Sequence, residues 1–316
     1  MISRRILRIK VLQILYAYYT ADLKDIRKAE KELQFSVNKS FELYQLLLLS
    51  ILEIRDYAVS RIELAKNKLR PSYEDINPNE KFINNALINQ LAVNNNLNKY
   101  CRDTGISWVQ YPELIKNLYN GLVKTEYYIN YMKSENTSYD EDKKIVLYIY
   151  SELIAENEDL PQILEEMSIY WNDDMDYIIS MIIKTIKSFK ESDGAEKKLM
   201  SVFKNEEDKD FLIRLYRQSI INQEFSLKLI QETANNWDVE RIAFLDTLIM
   251  QMAITEFIEF QSIPTKVTLN EYLDIAKYYS TEKSNSFING ILDKILITLR
   301  NENKIKKTGR GLIGEN

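Results

Sequence analysis

The segment VTLNEYLDIAKYYSTEKSNSFINGILDK, residues 267–294, predicts two amphipathic helices separated by a short polar break. In the first helix, Leu269, Leu273 and Ala276 recur at the spacing of one helix face. Pro264 precedes this helix and restricts the backbone where the helix is expected to begin. The segment therefore predicts a helical hairpin that packs into a larger helical body.

The second helix of this hairpin follows a residue that can cap it. Either Ser280 or Thr281 can supply a side-chain oxygen for the first free backbone N–H groups. Gly290 lies inside the helix, where glycine costs roughly 1 kcal/mol relative to alanine. We therefore expect a neighbouring helix to approach the backbone closely at Gly290. The predicted apolar face consists of Phe287, Ile288, Ile291, Leu292 and Ile295.

The composition favours an all-α fold. Only 7 glycines and 5 prolines occur in 316 residues, which leaves little turn chemistry for a multistranded sheet. Apolar periodicity predicts one helix over residues 3–19 and two over residues 24–68. Further helices are predicted over residues 80–103, 111–133, 141–156, 159–170 and 174–190.

Breaks in the pattern suggest four regions. We expect N-terminal helices over residues 1–70, a helical insertion over 71–192, a C-terminal helical domain over 193–302 and a basic flexible tail over 303–316.

The first predicted helix carries a cluster of arginines. After Lys10 the helix is apolar nearly all round, which is typical of the central helix of a bundle. At 100° per residue, Arg4, Arg5 and Arg8 fall within about 100° of one another. The cluster is either the solvated start of a helix or a surface that binds a polyanion. Cations at a helix N-terminus oppose the helix dipole, so helix stability alone does not explain them.

The net charge of −5 is unevenly distributed. Residues 1–21 hold four basic residues and no acidic one, and residues 300–310 hold five basic residues and one acidic one. Each end therefore carries +4, and the remainder carries −13. Both ends of the chain are therefore basic, and the middle is acidic.

Several functional classes are excluded by residues that the chain lacks. It has no histidine, which removes Ser–His and Cys–His nucleophile pairs and His-ligated metal sites. Cys101 is the single cysteine, which fits a reducing compartment. No apolar run approaches the roughly 20 residues that span a bilayer. We therefore expect a cytoplasmic protein that is not an enzyme, needs no metal or cofactor and does not contact a membrane.

The C-terminal third resembles a known family. The runs IPTKVTLNE, LDIAK and FINGILDK, between Ile263 and Lys294, resemble the C-terminal half of the NusB transcription antitermination factors. Trp237–Phe257 is similar to the helix that precedes them in that family. Near the N-terminus, LQILY at Leu12–Tyr16 is similar to the run after the family's arginine-rich start. The resemblance implies an all-α NusB-like bundle enlarged by an inserted helical region.

The resemblance also implies a function in transcription antitermination and in the regulation of rRNA transcription. Family members bind a boxA segment of ribosomal RNA leader transcripts, so we expect this chain to bind boxA-like single-stranded RNA. Lys283 stands where aspartate is common in the family, and Ile6 stands where arginine is frequent. The positions that match RNA-contacting residues of the family are Arg4, Arg5, Arg8, Tyr16, Lys283, Ser284 and Phe287.

Protein partners are implied in the same way. The family acts with NusE, a ribosomal protein of the small subunit, and thereby joins the transcription elongation complex. Asp246 matches an acidic position on the NusE-contacting face, whereas Gln251 stands where an arginine is usual.

Two other interpretations remain open. A homodimer is conceivable if Ile6, Leu7 and Ile9 form an apolar patch among the basic residues. Alternatively, the chain is a helical protein-interaction scaffold with little RNA affinity, in which the acidic middle region binds a protein.

Overall fold

The computed structural model describes residues 2–21, 24–234 and 243–314. Within these ranges the chain forms fifteen α-helices and no β-strand, which confirms the predicted all-α fold. A π-helix occurs at Ile149–Ile154, and 3-10 turns occur at Ile169–Trp171 and Gly309–Leu312. The α-helices are α1 Arg4–Thr20, α2 Ile26–Lys66, α3 Tyr73–Ile76, α4 Ala86–Ala92, α5 Asn95–Thr104, α6 Pro112–Leu122, α7 Glu126–Lys133, α8 Tyr139–Tyr148, α9 Leu160–Met167, α10 Met175–Ser188, α11 Glu206–Ile221, α12 Gln223–Thr233, α13 Phe244–Glu259, α14 Thr265–Tyr279 and α15 Glu282–Asn301.

The chain divides into two compact units. Asn38–Val202 forms the first, here called the insert unit, and Ile2–Val37 with Phe203–Asn316 forms the second, the terminal unit. The division therefore falls at residues 37 and 202 rather than at the expected 70 and 192. The region predicted as two helices over residues 24–68 is one 41-residue helix, α2. Its residues as far as Val37 belong to the terminal unit.

In the insert unit, α2 supplies the central helix. Leu46, Leu47 and Leu48 are consecutive and all fully buried, so this part of α2 is packed on every side. Trp108 Nε1 donates a hydrogen bond to Leu46 O at 2.9 Å, and the Tyr150 hydroxyl donates to Leu47 O at 2.9 Å. These large side chains bury apolar area against α2 while their polar tips use the spare lone pairs of its carbonyls.

Two helices that the periodicity predicts as continuous are each broken by a capping residue. Asn94 Oδ1 accepts a hydrogen bond from Leu97 N at 3.1 Å and starts α5, so the predicted helix 80–103 becomes α4 and α5. Thr125 Oγ1 accepts from Tyr128 N at 3.2 Å and starts α7 in the same way. Side-chain caps satisfy the free N–H groups at the start of a new helix. A helix can therefore end and another begin even where the apolar pattern continues.

In the terminal unit, α1 is central, as predicted, because Leu7, Val11 and Leu15 have no exposed surface. The hairpin of α14 and α15 also forms. Thr281 caps α15 by accepting a hydrogen bond from Ser284 N at 3.2 Å. The buried face of α15 contains Ile288, Ile291, Leu292, Ile295, Leu296 and Leu299.

The expectation of a close approach at Gly290 is wrong. A Cβ atom added at Gly290 would meet nothing within 4 Å, because this glycine lies on the exposed side of α15. The buried residues of α15 instead face α12, α13 and α14.

No helix in the described part of the chain is long and apolar enough to cross a bilayer.

Candidate nucleic-acid interface

Arg4, at the start of α1, is paired with acidic residues of α11. Its Nε donates to Asp208 Oδ1 at 2.8 Å, and its Nη2 lies 3.6 Å from Glu207 Oε2. The Arg4 guanidinium also lies over the Phe211 ring, 5.1 Å from its centroid. The side chain is about one third exposed, at 32%.

Arg5 is paired with acidic residues of α14. Its Nε and Nη2 donate to the two carboxylate oxygens of Glu271 at 3.0 and 2.9 Å, and Nη2 also donates to Asp274 Oδ2 at 2.9 Å. Hydrogen bonding to Glu271 raises the pKa of Arg5 above its usual value. Its side chain is 43% exposed, so a solvent-borne anion can reach it.

Arg8 lies in the core rather than at the surface. Its Nε and Nη2 donate to Glu256 Oε2 and Oε1 at 2.8 and 2.6 Å, and Nη1 contacts Glu271 Oε2 at 3.4 Å. The Arg8 side chain is 3% exposed and that of Glu256 is fully buried. Burial is the largest single effect and disfavours the charged guanidinium, but Glu256, Tyr272 and Glu271 together outweigh it, and the pKa of Arg8 is raised.

The three predicted RNA-binding arginines therefore differ in what they can do. All three are ion-paired within the terminal unit, and the Arg8 guanidinium cannot reach an external phosphate. The helix periodicity correctly places them on one side of α1, but it does not show that this side faces α11, α13 and α14. Arg4 and Arg5 remain partly accessible, and a phosphate can compete with the carboxylates that hold them.

The far end of α1 presents aromatic rings to solvent. Tyr16 is 46% exposed and Phe244, the first residue of α13, is 43% exposed. Their ring centroids lie 5.6 Å apart at 49°. Tyr19 completes the cluster by meeting Phe244 edge to face at 6.3 Å, and Lys24 Nζ lies 5.5 Å from the Tyr19 ring centroid. We call Tyr16, Tyr19 and Phe244 the aromatic surface.

The link between α14 and α15 lies beside the aromatic surface. Gln13 Nε2, one turn before Tyr16, donates to the Tyr279 hydroxyl at 3.4 Å. Ser280 Oγ donates to the carboxylate of Asp246, two residues after Phe244. The ends of α1 and α14 and the start of α13 therefore meet at one place on the terminal unit.

The predicted residues of α15 follow directly from this link. Lys283 is exposed and no acidic residue in the described part of the chain pairs with it. Phe287 lies one turn later on the same side of α15 and is half-buried. Ser284 is also half-buried, and its hydroxyl hydrogen-bonds with that of Thr281 at 3.0 Å. Lys283 and Phe287 thus offer a cation and a ring next to the aromatic surface.

Asp246, the predicted partner-binding residue, is 3% exposed. Its carboxylate accepts the hydrogen bond from Ser280 and holds the α14–α15 link against α13. Gln251 is likewise 1% exposed and donates to Ser219 O at 2.6 Å and to the Tyr19 hydroxyl at 3.0 Å. Both are interior residues because α13 is buried nearly all round. Residues 237–242, which begin the predicted helix Trp237–Phe257, lie outside the described residues.

The apolar patch on which a homodimer was considered does not form. Ile6 is 5% exposed and Leu7 is fully buried, so only Ile9 of the three retains appreciable surface.

Phe244 was not singled out from the sequence. It lies in an apolar run, FLDTLIMQMAITEF, whose other large apolar residues are mostly buried. Its exposure follows from its position in the first turn of α13, where the helix emerges beside the end of α1. The sequence signal that could have identified it is this start position, ahead of the continuous buried run Leu248–Phe257.

Comparison with known proteins assigns the family. A sequence model described as the NusB family matches residues 178–296, from α10 to α15. The chain is 38% identical over 139 residues to the transcription antitermination protein NusB of Salinibacter ruber, which covers 42% of this chain and 87% of that protein. The chain belongs to the NusB family.

Two further NusB proteins show how the likeness is distributed. The transcription antitermination protein NusB of Chloroherpeton thalassium is 38% identical over 105 residues, covering 33% of this chain and 50% of that protein. The transcription antitermination protein NusB of Thermodesulfovibrio yellowstonii is 42% identical over 91 residues, covering 29% of this chain and 60% of that protein. Comparison with solved structures finds no match. The chain has 316 residues, and its match to the family begins near the end of the insert unit.

Proposed function

We propose that this NusB protein binds boxA-like single-stranded RNA, together with NusE, as a factor of the antiterminating transcription elongation complex. The aromatic surface carries this proposal. RNA recognition combines cations for the phosphates with aromatic faces for splayed bases. Tyr16 and Phe244 supply exposed rings, and Lys283, which no described acidic side chain pairs, supplies a cation at the start of α15.

The arginines of α1 have a secondary role in this proposal. Arg5 lies about 17 Å from Tyr16 along α1, at 1.5 Å per residue, so an RNA of a few nucleotides can contact both. Arg5 must exchange the carboxylates of Glu271 and Asp274 for RNA phosphates. Because both partners are anionic oxygens with similar geometry, the exchange changes the net interaction little. Arg8 instead stabilises the fold beneath this surface.

The test is fluorescence anisotropy of a labelled boxA-type RNA against the wild type, Tyr16→Ala, Phe244→Ala and Lys283→Glu. Loss of a stacked base costs about 1–3 kcal/mol, so each alanine variant should bind roughly 5- to 150-fold more weakly. Tyr73→Ala is the matched control, because Tyr73 is 80% exposed in the insert unit. The proposal fails if the wild type binds no RNA at low salt, or if the Phe244 variant binds as the control does.

NusE provides a second arm of the same experiment. We expect purified NusE to strengthen wild-type RNA binding. If both proteins contact the same RNA, the contacts with NusE add affinity, because the RNA has already lost its translational freedom on binding this chain. If adding NusE leaves the RNA affinity of the wild type and of every variant unchanged, NusE is not the partner.

The alternative function, a scaffold with little RNA affinity, is favoured by the charge of the two units. The insert unit holds 19 basic against 26 acidic residues, a net charge of −7, which leaves +2 on the terminal unit. An acidic unit that repels RNA suits a basic protein partner. The salt dependence separates the two functions, since RNA binding weakens with a slope of about −0.7 per phosphate contact.

A further inference from the structure

The tail over residues 303–316 was expected to be flexible, but its described part, with Glu302 here called the C-terminal segment 302–314, lies against the loop that follows α13. Thr308 N donates to Gln261 O at 3.0 Å. Lys307 Nζ donates to Phe260 O at 2.9 Å, which places a cation on the carbonyl end of α13. The helix dipole favours a cation at that end. These bonds fix the course of the segment as far as the structure describes it.

Gly311 explains why the segment can lie so close. A Cβ atom at this position would stand 1.9 Å from Gln261 O and 3.0 Å from Gln261 C. No side chain fits there, and the neighbouring atoms are backbone, which cannot move aside independently. Glycine at 311 is therefore required for the contact between the segment and the loop.

The anchored segment displays cations for which the described residues supply no acidic partner. Lys306 and Arg310 are exposed, and no carboxylate in the described ranges lies within ion-pair distance of either. Lys266 joins them from the first turn of α14, since its Nζ is 3.8 Å from the place of a Cβ at Gly314. The one acidic residue of segment 302–314, Glu302, is already paired with Lys304 at 2.8 Å.

These cations differ from the arginines of α1, each of which the fold supplies with a carboxylate. Like charges on one surface repel, so such cations favour the binding of an anion. Cations that only keep a protein in solution can lie on a mobile tail. Here the segment that carries them is fixed by the contact of Gly311 with the backbone of Gln261. Their fixed placement favours a ligand that carries several negative charges.

We infer that Lys306 and Arg310 on the anchored segment, together with Lys266 on α14, form a second RNA surface, which binds backbone phosphates and not bases. The inference rests on the proposed function, because the polyanion is taken to be the same RNA. Residues 302–314 contain no aromatic side chain, so the segment itself offers no ring on which to stack a base. It therefore contributes affinity that does not depend on RNA sequence.

The position of this second surface means that its contribution to affinity should depend on the length of the RNA. It lies at the first turn of α14, whereas the aromatic surface lies at the last turn. The 15 residues of α14 span about 22 Å at 1.5 Å per residue. An RNA of about 3 nucleotides, which spans about 10 Å at roughly 3.4 Å per nucleotide, fills the aromatic surface without reaching the cations, whereas a much longer RNA reaches both.

The experiment compares Lys306→Glu/Arg310→Glu with wild type on two labelled RNAs, a boxA-derived RNA of about 3 nucleotides and one of about 20, over a salt series. For the longer RNA, affinity should fall roughly tenfold or more and the salt slope should decrease by about 1.4. The shorter RNA should bind both proteins alike. Lys184→Glu/Lys187→Glu is the control, since these exposed lysines of α10 undergo the same change of charge.

Gly311→Ala adds a variant that keeps every charge. It should displace the segment and weaken binding of the longer RNA, with faster proteolysis after residue 302. If the charge variant weakens binding but Gly311→Ala does not, the cations act from an unanchored tail and the fixed surface is wrong. If the longer RNA binds the charge variant as it binds wild type while Phe244→Ala loses affinity, the second surface is wrong and the proposed function stands. If wild type binds neither RNA, both fail.

Discussion

The guanidinium of Arg8 and the carboxylate of Glu256 form a buried bidentate ion pair, with N–O distances of 2.6 and 2.8 Å. Glu256 also accepts hydrogen bonds from the Thr268 hydroxyl at 2.9 Å and the Tyr272 hydroxyl at 3.1 Å. The carboxylate is thereby satisfied without water, and the cluster joins α1, α13 and α14. The fold beneath the proposed RNA surface depends on this cluster.

Replacing Glu256 with glutamine should destabilise the terminal unit strongly. The guanidinium of Arg8 would remain buried with its principal counter-ion removed, which typically costs about 3–5 kcal/mol. Calorimetry of the full chain should show one unfolding transition moved to lower temperature, while the transition of the insert unit is retained. Arg5→Met, which removes a largely exposed pair, should cost about 1 kcal/mol or less. Equal effects of the two variants would refute the structural role of the buried pair.

Removing a carboxylate that competes with RNA should strengthen binding. Hydrogen bonding from Lys277 holds the pKa of Asp274 below its usual value and Arg5 acts in the same direction, so Asp274 is ionised at neutral pH. Asp274→Asn should leave Arg5 held by Glu271 alone and increase RNA affinity about 2- to 5-fold at low salt, as expected for one exposed charge. Anisotropy titrations measure this. The control Glu165→Gln removes an exposed charge from the insert unit, and a gain as large in that variant would show a general charge effect.

Gly290→Ala should stabilise the terminal unit. Gly290 is inside α15 with open space around it, so alanine gains helix propensity of roughly 0.5–1 kcal/mol without a clash. Thermal unfolding should move upward by a few degrees. Gly311→Ala provides the opposite case, because its Cβ would collide with Gln261 O. A lower melting temperature for Gly290→Ala would mean that another molecule occupies the space.

The insert unit should lose stability in alkali. Burial raises the pKa of Tyr44 to about 12, although the hydrogen bond with Thr185 acts in the opposite direction. An unfolded tyrosine titrates near 10, so the stabilising contribution is complete below about pH 10 and is lost as the pH rises towards 12. Tyr44→Phe should make the decline in unfolding free energy shallower, by at most about 3 kcal/mol. Denaturant titrations between pH 8 and 12 test this, and identical slopes for both proteins would contradict it.

Local features of the sequence were sufficient for the hairpin of α14 and α15. Pro264 and Thr281 mark where its helices begin, and the apolar spacing identifies the buried face. The sequence analysis missed the helix breaks at Asn94 and Thr125, which lie inside apolar runs. Asn and Thr can occur within a helix or cap a new one, and the local sequence does not show which of the two happens. The prediction at Gly290 was wrong because this glycine lies on the exposed side of α15, where no neighbouring helix requires a small residue.

The sequence by itself determined the helical class, the α14–α15 hairpin and the family, because helix periodicity, caps and motif spacing are local properties of the chain. Only the tertiary structure decided what each charged or aromatic residue does. Arg8 meets Glu256 across 248 positions, Phe244 emerges beside Tyr16, and Gly311 fits the backbone of Gln261. Burial and ion pairing depend on which distant segments become neighbours in space, and that information is absent from any single helix.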